Sequence, residues 1–274
     1  MATPATPRPL RAAELGFVRA LLTDVDGTLT TGGLLLGSTV EALHALREAG
    51  LRVVLVSGRP AGWGECWART LPVDGVIVEN GGLSFVKRRD GLAKVYAQPE
   101  EVRRRNRARL RREISAALKA FPGARLSSDS AYTEVDLAID HSEEACLGQE
   151  VARRIEARLR ARGVTAVRSS VHVNCWIGDF DKRTTALSLL ESEWGLSLRP
   201  GDRRVAYAGD SFNDAPMFAA VPLSVGVANV RQVLEELTAP PAYITRAAEG
   251  RGFEELARAL LAQRAARKRT GGTR

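Results

Sequence analysis

The sequence predicts an open α/β fold, a parallel sheet with helices on both faces, interrupted by an inserted α+β module. Three observations carry this. Near-continuous apolar runs recur at Phe17–Thr23, Leu51–Val56, Val73–Val78, Val205–Ala208 and Leu223–Val227. Strands apolar along their whole length are buried on both faces, as in parallel sheets. Segments of helical spacing alternate with them, which is the βαβ pattern. From about Leu83 to Ile177 the pattern changes to alternating strands and long polar helices.

In chain order, Phe17–Thr23 reads as the first strand. Thr39–Ala49 follows with Val40, Leu43, Leu46 and Ala49 at helical spacing, and Gly50 stops it. Leu51–Val56 ends in Ser57-Gly58-Arg59-Pro60, and Val73–Val78 in Glu79-Asn80-Gly81-Gly82. In the inserted region, Thr133–Asp140 alternates with period two. Helices are predicted over Val102–Ala120 and Cys146–Arg162, and strands over Thr165–Arg168 and Val171–Trp176. Along the last of these, His172, Asn174 and Trp176 share one face, and Val171, Val173 and Cys175 the other. A helix opens at Lys182 and continues through Leu187, Leu190 and Trp194.

The 274 residues suffice for one large or two modest domains. No apolar run approaches the length of a membrane span, and Met1–Arg11 lacks the apolar stretch of a secretory signal. Cys66, Cys146 and Cys175 are scattered, without the spacing of a zinc site or a disulfide frame, which points to a reducing, cytoplasmic location. The formal charge of +8 favours anionic partners. Part of it is the run Arg103–Arg112, but Val102, Leu110, Ile114 and Leu118 give that helix an apolar stripe, so its arginines read as a solvated face. No aromatic stacking pattern accompanies them, and no nucleic-acid partner is expected.

Polar groups with chemical potential sit just beyond the strand ends. Asp24 and Asp26 close the first strand in Asp24-Val25-Asp26-Gly27-Thr28. Ser57 follows the second, and Asp210 and Asp214 follow the run at 205–208 in Gly209-Asp-Ser-Phe-Asn213-Asp214. In a parallel sheet these carboxyl ends face one crevice, where open α/β sheets bind ligands. Paired carboxylates there suit a hard cation such as Mg²⁺ and a phosphoryl group.

The order and types of these residues resemble the haloacid dehalogenase superfamily of phosphatases. Asp24–Thr28 resembles its first motif, Val56-Ser57-Gly58-Arg59 its second, Lys182 its third and Gly209–Asp214 its fourth. The long interval between Arg59 and Lys182 is similar to members with a class IIB α/β cap, and Val78–Gly82 is similar to the mannosyl-3-phosphoglycerate phosphatase branch. Arg183 departs from the glycine frequent after the motif-three lysine.

The resemblance implies a Rossmann-like core at residues 1–86 and 178–274 and a cap at 87–177, and the composition of residues 1–14 and 264–274 reads as disordered tails. The resemblance also implies Asp24 as nucleophile and metal ligand, and Asp26 as general acid/base with its carbonyl on Mg²⁺. Ser57, Gly58 and Lys182 would bind the phosphoryl group, Asp210 would be the second acidic metal ligand, and Asp214 would serve the metal through bound water or orient Lys182. Arg59, Asn80, His172, Asn174 and Asn213 are candidate substrate contacts. The activity implied is a Mg²⁺-dependent phosphomonoesterase with an aspartyl-phosphate intermediate, acting on a small phosphorylated sugar or glycosylglycerate. A sugar phosphomutase and a basic nucleic-acid-binding or regulatory protein are the alternatives.

Overall fold

A computed structural model describes residues 6–169, 171–199 and 201–271. A nine-stranded sheet forms the core. In chain order its strands are β1 (Arg8–Pro9), β2 (Ala20–Thr23), β3 (Arg52–Val56), β4 (Gly75–Val78), β5 (Leu83–Arg88), β6 (Gly91–Tyr96), β11 (Val205–Gly209), β12 (Leu223–Gly226) and β13 (Tyr243–Ile244). In space they run β1-β13-β12-β11-β2-β3-β4-β5-β6. The pairings from β1 to β4 are parallel, and β5 and β6 add an antiparallel hairpin at the edge.

Successive residues of a strand point to opposite faces, so a doubly covered strand must be apolar at every position. Leu21 packs with Leu43, Leu46, Phe253, Leu256 and Leu260, beneath α1 (Gly37–Glu48) and α7 (Glu249–Gly271). Its neighbour Leu22 packs with Leu189, Leu190, Met217 and Phe218, beneath α5 (Lys182–Trp194) and α6 (Ala215–Ala220). Helix α2 (Ala61–Thr70) crosses β4 and β5.

The second sheet has four antiparallel strands, in the order β7 (Arg125–Leu126), β8 (Leu137–Asp140), β10 (His172–Trp176) and β9 (Thr165–Arg168). Helices α3 (Glu100–Ala120) and α4 (Gly148–Ala161) pack on one of its faces. Leu110, Ile114 and Ala117 of α3 and Ala152, Ile155 and Leu159 of α4 bury against Leu137, Ile139, Val173 and Cys175. The arginine run is therefore one side of an amphipathic helix, and not all of it is solvated. Arg107 donates to the Asp136 and Thr133 carbonyls, and Arg103 stacks on Tyr96.

Three expectations need correction. The core sheet extends to Tyr96, ten residues past the boundary expected at 86, because Leu83 and Phe85 cover the core and β6 completes the hairpin. The strand expected at 133–140 is only Leu137–Asp140. The amides of Glu134, Val135 and Asp136 donate instead to the Glu79 carboxylate, at 2.9, 2.6 and 2.9 Å, and so leave the ladder.

The termini expected to be disordered are largely docked. Leu10 and Ala13 are buried, and β1 pairs with β13. The Gln263 side chain accepts from the Leu15 amide at 2.7 Å and donates to the Ala13 carbonyl at 2.9 Å. Arg264 donates to the carbonyls of Ala49 and Val18. Residues 1–5 and 272–274 lie outside the described residues. Replacing Gln263 by Ala removes both bonds and costs about 1–2 kcal/mol. The expected readout is a Tm lower by about 2–6 °C, and an unchanged melting curve would show that the two ends are not joined in solution.

Candidate active site

Strand β2 lies between β11 and β3, where the chain's progress across the sheet reverses. A crevice opens at the carboxyl ends of strands at such a switch point. Asp24 leaves β2 with its amide bonded to the Ala208 carbonyl at 2.8 Å and is 5% exposed. Ser57 leaves β3, and Asp210 leaves β11.

Lys182 begins α5 on the far side of the crevice. Asp181 caps that helix: its carboxylate accepts from the Thr184 amide at 2.6 Å, and the Thr184 hydroxyl accepts from the Asp181 amide at 3.0 Å. This reciprocal cap fixes the first turn. The turn Glu79-Asn80-Gly81 presses on it from behind. Gly81 has φ of 100°, and a Cβ there would collide with the Asp181 carbonyl. Lys182 is thereby aimed inward, 2% exposed, with Nζ 2.7 Å from Asp24 Oδ1 and 2.9 Å from Asp214 Oδ1. Burial alone would lower its pKa, but Asp214 and Asp24 hold the ammonium above its ordinary value.

Asp214 spends both oxygens inside the protein. Oδ1 accepts from Lys182 and from the Tyr207 hydroxyl at 2.5 Å, and Oδ2 accepts from the Asp210 and Ser211 amides at 2.9 and 3.1 Å. Asp210 Oδ2 accepts from Asn229 Nδ2 at 2.7 Å, and Asn229 also donates to the Gly27 carbonyl at 3.0 Å. Gly27 has φ of 74°, and a side chain there would collide with the Asp210 carboxylate. Carboxylate oxygens of Asp24, Asp210 and Asp214 lie within 4.8 Å of one another. Burial first, and then its acidic neighbours, push the Asp210 carboxyl up to about 8. The same causes, opposed by Lys182, raise Asp24 well above the carboxylate range. Three buried carboxylates facing one ammonium leave a deficit of positive charge.

Asp26 is not one of that cluster. Arg59 grips it from two nitrogens, Nε 3.1 Å from Oδ2 and Nη2 3.0 Å from Oδ1. The same guanidinium reaches the second module, with Nη2 2.8 Å from Glu143 and Nη1 3.5 Å from Asp129. A cavity of about 20 Å³ lies between the modules, and Asp24, Asp26, Gly58, Arg59, His172 and Asn174 are among its walls. A Cβ at Gly58 would stand 3.1 Å from Asn80 Oδ1 and 3.4 Å from the Asn174 amide, so the tight neighbour there is Asn80.

The structure therefore gathers Asp24, Asp26, Gly58, Arg59, His172, Asn174 and Asn213 around one cavity, with Lys182, Asp210 and Asp214 beside it. Ser57 and Asn80 stand behind the wall. The Ser57 hydroxyl accepts from the Arg59 amide at 3.0 Å, and Asn80 donates to Asp136 at 2.9 Å. Sequence reasoning missed Tyr207, Asn229 and Glu143. Tyr207 sits in an apolar strand, where a buried hydroxyl demands a partner. Asn229 follows β12 as Asp210 follows β11, a signal of the same kind. Glu143 lies in an acidic surface stretch and gives no such signal.

The comparisons with known proteins agree with this geometry. The model of the haloacid dehalogenase-like hydrolases matches residues 21–118. A phosphoglycolate phosphatase of Haloarcula marismortui is 30% identical, over 86% of this chain and 94% of its own. Two solved structures share the fold. The trehalose-6-phosphate phosphatase C-terminal domain of C. albicans has a TM-score of 0.70 at 16% identity, covering 95% of this chain and 99% of that one. A subclass IIB sugar phosphatase has a TM-score of 0.59 at 17% identity, covering 88% and 98%. With the acidic cluster, the lysine and the two-module architecture in place, the chain belongs to the haloacid dehalogenase-like hydrolases.

Proposed function

We propose that the chain is a Mg²⁺-dependent phosphomonoesterase that works through a phosphoryl group carried on Asp24. The observation that supports it is the buried pair of Asp24 and Lys182, 2.7 Å apart at the head of β2, with a second acid, Asp26, two residues on. Asp24 is the nucleophile. Its oxygen forms a bond to phosphorus while the bond from phosphorus to the ester oxygen breaks. Asp26 gives a proton to that departing oxygen, then takes one from the water that attacks phosphorus. The second step breaks the bond between Asp24 and phosphorus and releases inorganic phosphate. Lys182 and the backbone around Ser57 and Gly58 hold the equatorial oxygens, where charge accumulates.

The donor set fits Mg²⁺. Asp24 and Asp210 have open carboxylate lone pairs, and the Asp26 carbonyl would add a third oxygen. Asp214, saturated by four donors, orients Lys182 and the Asp210 loop. Bound there, the cation supplies the missing positive charge for nucleophile and phosphate.

The second module closes over the site and sets the size of the substrate. The phosphoglycolate phosphatases that the chain resembles point to a small two-carbon leaving group rather than the glycosylglycerate the sequence suggests. No described helix is long and apolar enough to cross a membrane.

Two outcomes follow. With Mg²⁺, the protein should release free phosphate from 2-phosphoglycolate faster than from trehalose, sucrose or mannose phosphates. Asp24→Asn should lower that rate by about 10⁴-fold or more, since it removes the nucleophile. Turnover retained in the variant would contradict the assignment.

The second concerns pH. A carboxyl raised to about 8 in the fold keeps a proton that the unfolded chain loses near pH 4. Between those values the metal-free fold loses stability as pH rises. Mg²⁺ must displace that proton, so it binds more tightly as pH rises. The gain in Tm from Mg²⁺ over EDTA should be larger at pH 8 than at pH 6. Equal gains would contradict the role given to Asp210.

A further inference from the structure

The outer edge of the site contains a carboxylate held in a way the fold does not require. Glu143, from the loop after β8, places Oε1 2.8 Å from Arg59 Nη2 and Oε2 2.7 Å from His172 Nε2. A guanidinium on one oxygen and an imidazole on the other is a recognition pattern for a carboxylate. The match is incomplete. His172 is 6% exposed, and its Nε2, although 2.7 Å from Glu143, makes no contact that meets hydrogen-bond geometry. A buried imidazole nitrogen without a hydrogen bond, facing a cavity shared with Asp24 and Asp26, is a group waiting for a better-placed acceptor.

The loop shows how Glu143 could leave. Asp140 accepts four backbone amides, from Ser142, Glu143, Glu144 and Ala145, at 2.9 to 3.1 Å. The loop backbone is thus pinned, and only the Glu143 side chain, 31% exposed at the rim, needs to turn. Arg59 and His172 come from different modules. Arg59 follows β3, its amide bonded to Ser57, and His172 opens β10. Their meeting point exists only when the modules are closed over the phosphoryl site.

We propose that Arg59 and His172 form a subsite for a carboxylate on the leaving group, and that Glu143 fills it when substrate is absent. This rests on the phosphatase reading above, and it narrows the substrate to a short phosphorylated hydroxy acid. Substrate carboxylate replaces protein carboxylate, so the number of carboxylates around Arg59 (Asp26, Asp129 and one outer group) is unchanged by the exchange. Glu143 then acts as a tethered competitor. It lowers the apparent affinity by the fraction of time it occupies the subsite, and it disfavours neutral esters, which cannot displace it.

The test compares 2-phosphoglycolate with 2-hydroxyethyl phosphate, an ester of the same carbon count whose hydroxyl replaces the carboxylate. The wild-type protein, Glu143→Gln and His172→Gln are assayed for phosphate release with Mg²⁺. The wild type should prefer the acid by about 10²-fold or more in kcat/KM, because a neutral ester leaves buried donors unpaired. Glu143→Gln keeps the shape and removes the competing charge, so KM for the acid should fall about 3–10-fold. In His172→Gln the preference for the acid should shrink about tenfold. Equal kcat/KM for the two esters in the wild type, a KM unmoved by Glu143→Gln, or a preference unmoved by His172→Gln would each overturn the subsite and leave the phosphatase standing. Wild-type protein that hydrolyses neither ester but releases phosphate from a sugar phosphate would overturn the subsite alone, and release from none of them would overturn both.

Discussion

The site is organised by one buried contact, the Lys182 ammonium between Asp24 and Asp214. A charge 2% exposed is costly unless it is paired and fully bonded. Much of the neighbouring structure meets that demand. The cap at Asp181 and the turn at Gly81 set the direction of the lysine, and Tyr207 and two amides saturate Asp214. The remainder of the charge is unbalanced, since Asp24 and Asp210 face each other with too little cation. A metal-dependent phosphoryl site needs that state. On the proposed reading, Mg²⁺ and a phosphoryl group would meet that deficit together.

The two modules are joined by a second set of buried charges. Glu79 accepts four amides, from Ala61 in the core and from Glu134, Val135 and Asp136 in the other module. It does so from a left-handed backbone, φ of 49°, followed by Asn80 at 55°. Glutamate seldom adopts that conformation, and its strain persists because the contacts on both sides over-determine it. Arg59 is the counterpart nearer the chemistry, touching Asp26 on one side and Glu143 and Asp129 on the other. Closure and the placing of Asp26 therefore share one side chain.

Most of the core was legible because it follows from strand ends. Asp24, Asp26, Ser57 and Asp210 end apolar runs, and a parallel sheet brings those ends together whatever the details. Alternation along β10 also carried over: Val173 and Cys175 pack inward, while His172 and Asn174 line the crevice. What failed had long-range causes. The β5–β6 hairpin alternates like the inserted module but pairs with β4. Three amides of the expected strand at 133–140 are taken by Glu79, more than fifty residues away. The docked termini depend on Gln263 and Arg264, whose partners are backbone groups that no side-chain pattern reveals. Glu143 is one acidic residue among several in a surface loop until the fold sets it against Arg59 and His172.

On the proposed reading the phosphoryl group rests on Asp24. If Asp26 is the acid and base of the proposed reading, Asp26→Asn should stall the second step, while p-nitrophenyl phosphate needs no acid to lose its leaving group, so the first step should still proceed. Acid-quenched peptide mass spectrometry on that variant should find a phosphoryl group on the peptide carrying Asp24, together with a burst of nitrophenol. A variant that releases nitrophenol with no phosphopeptide, or with the phosphoryl group on another residue, would contradict the account.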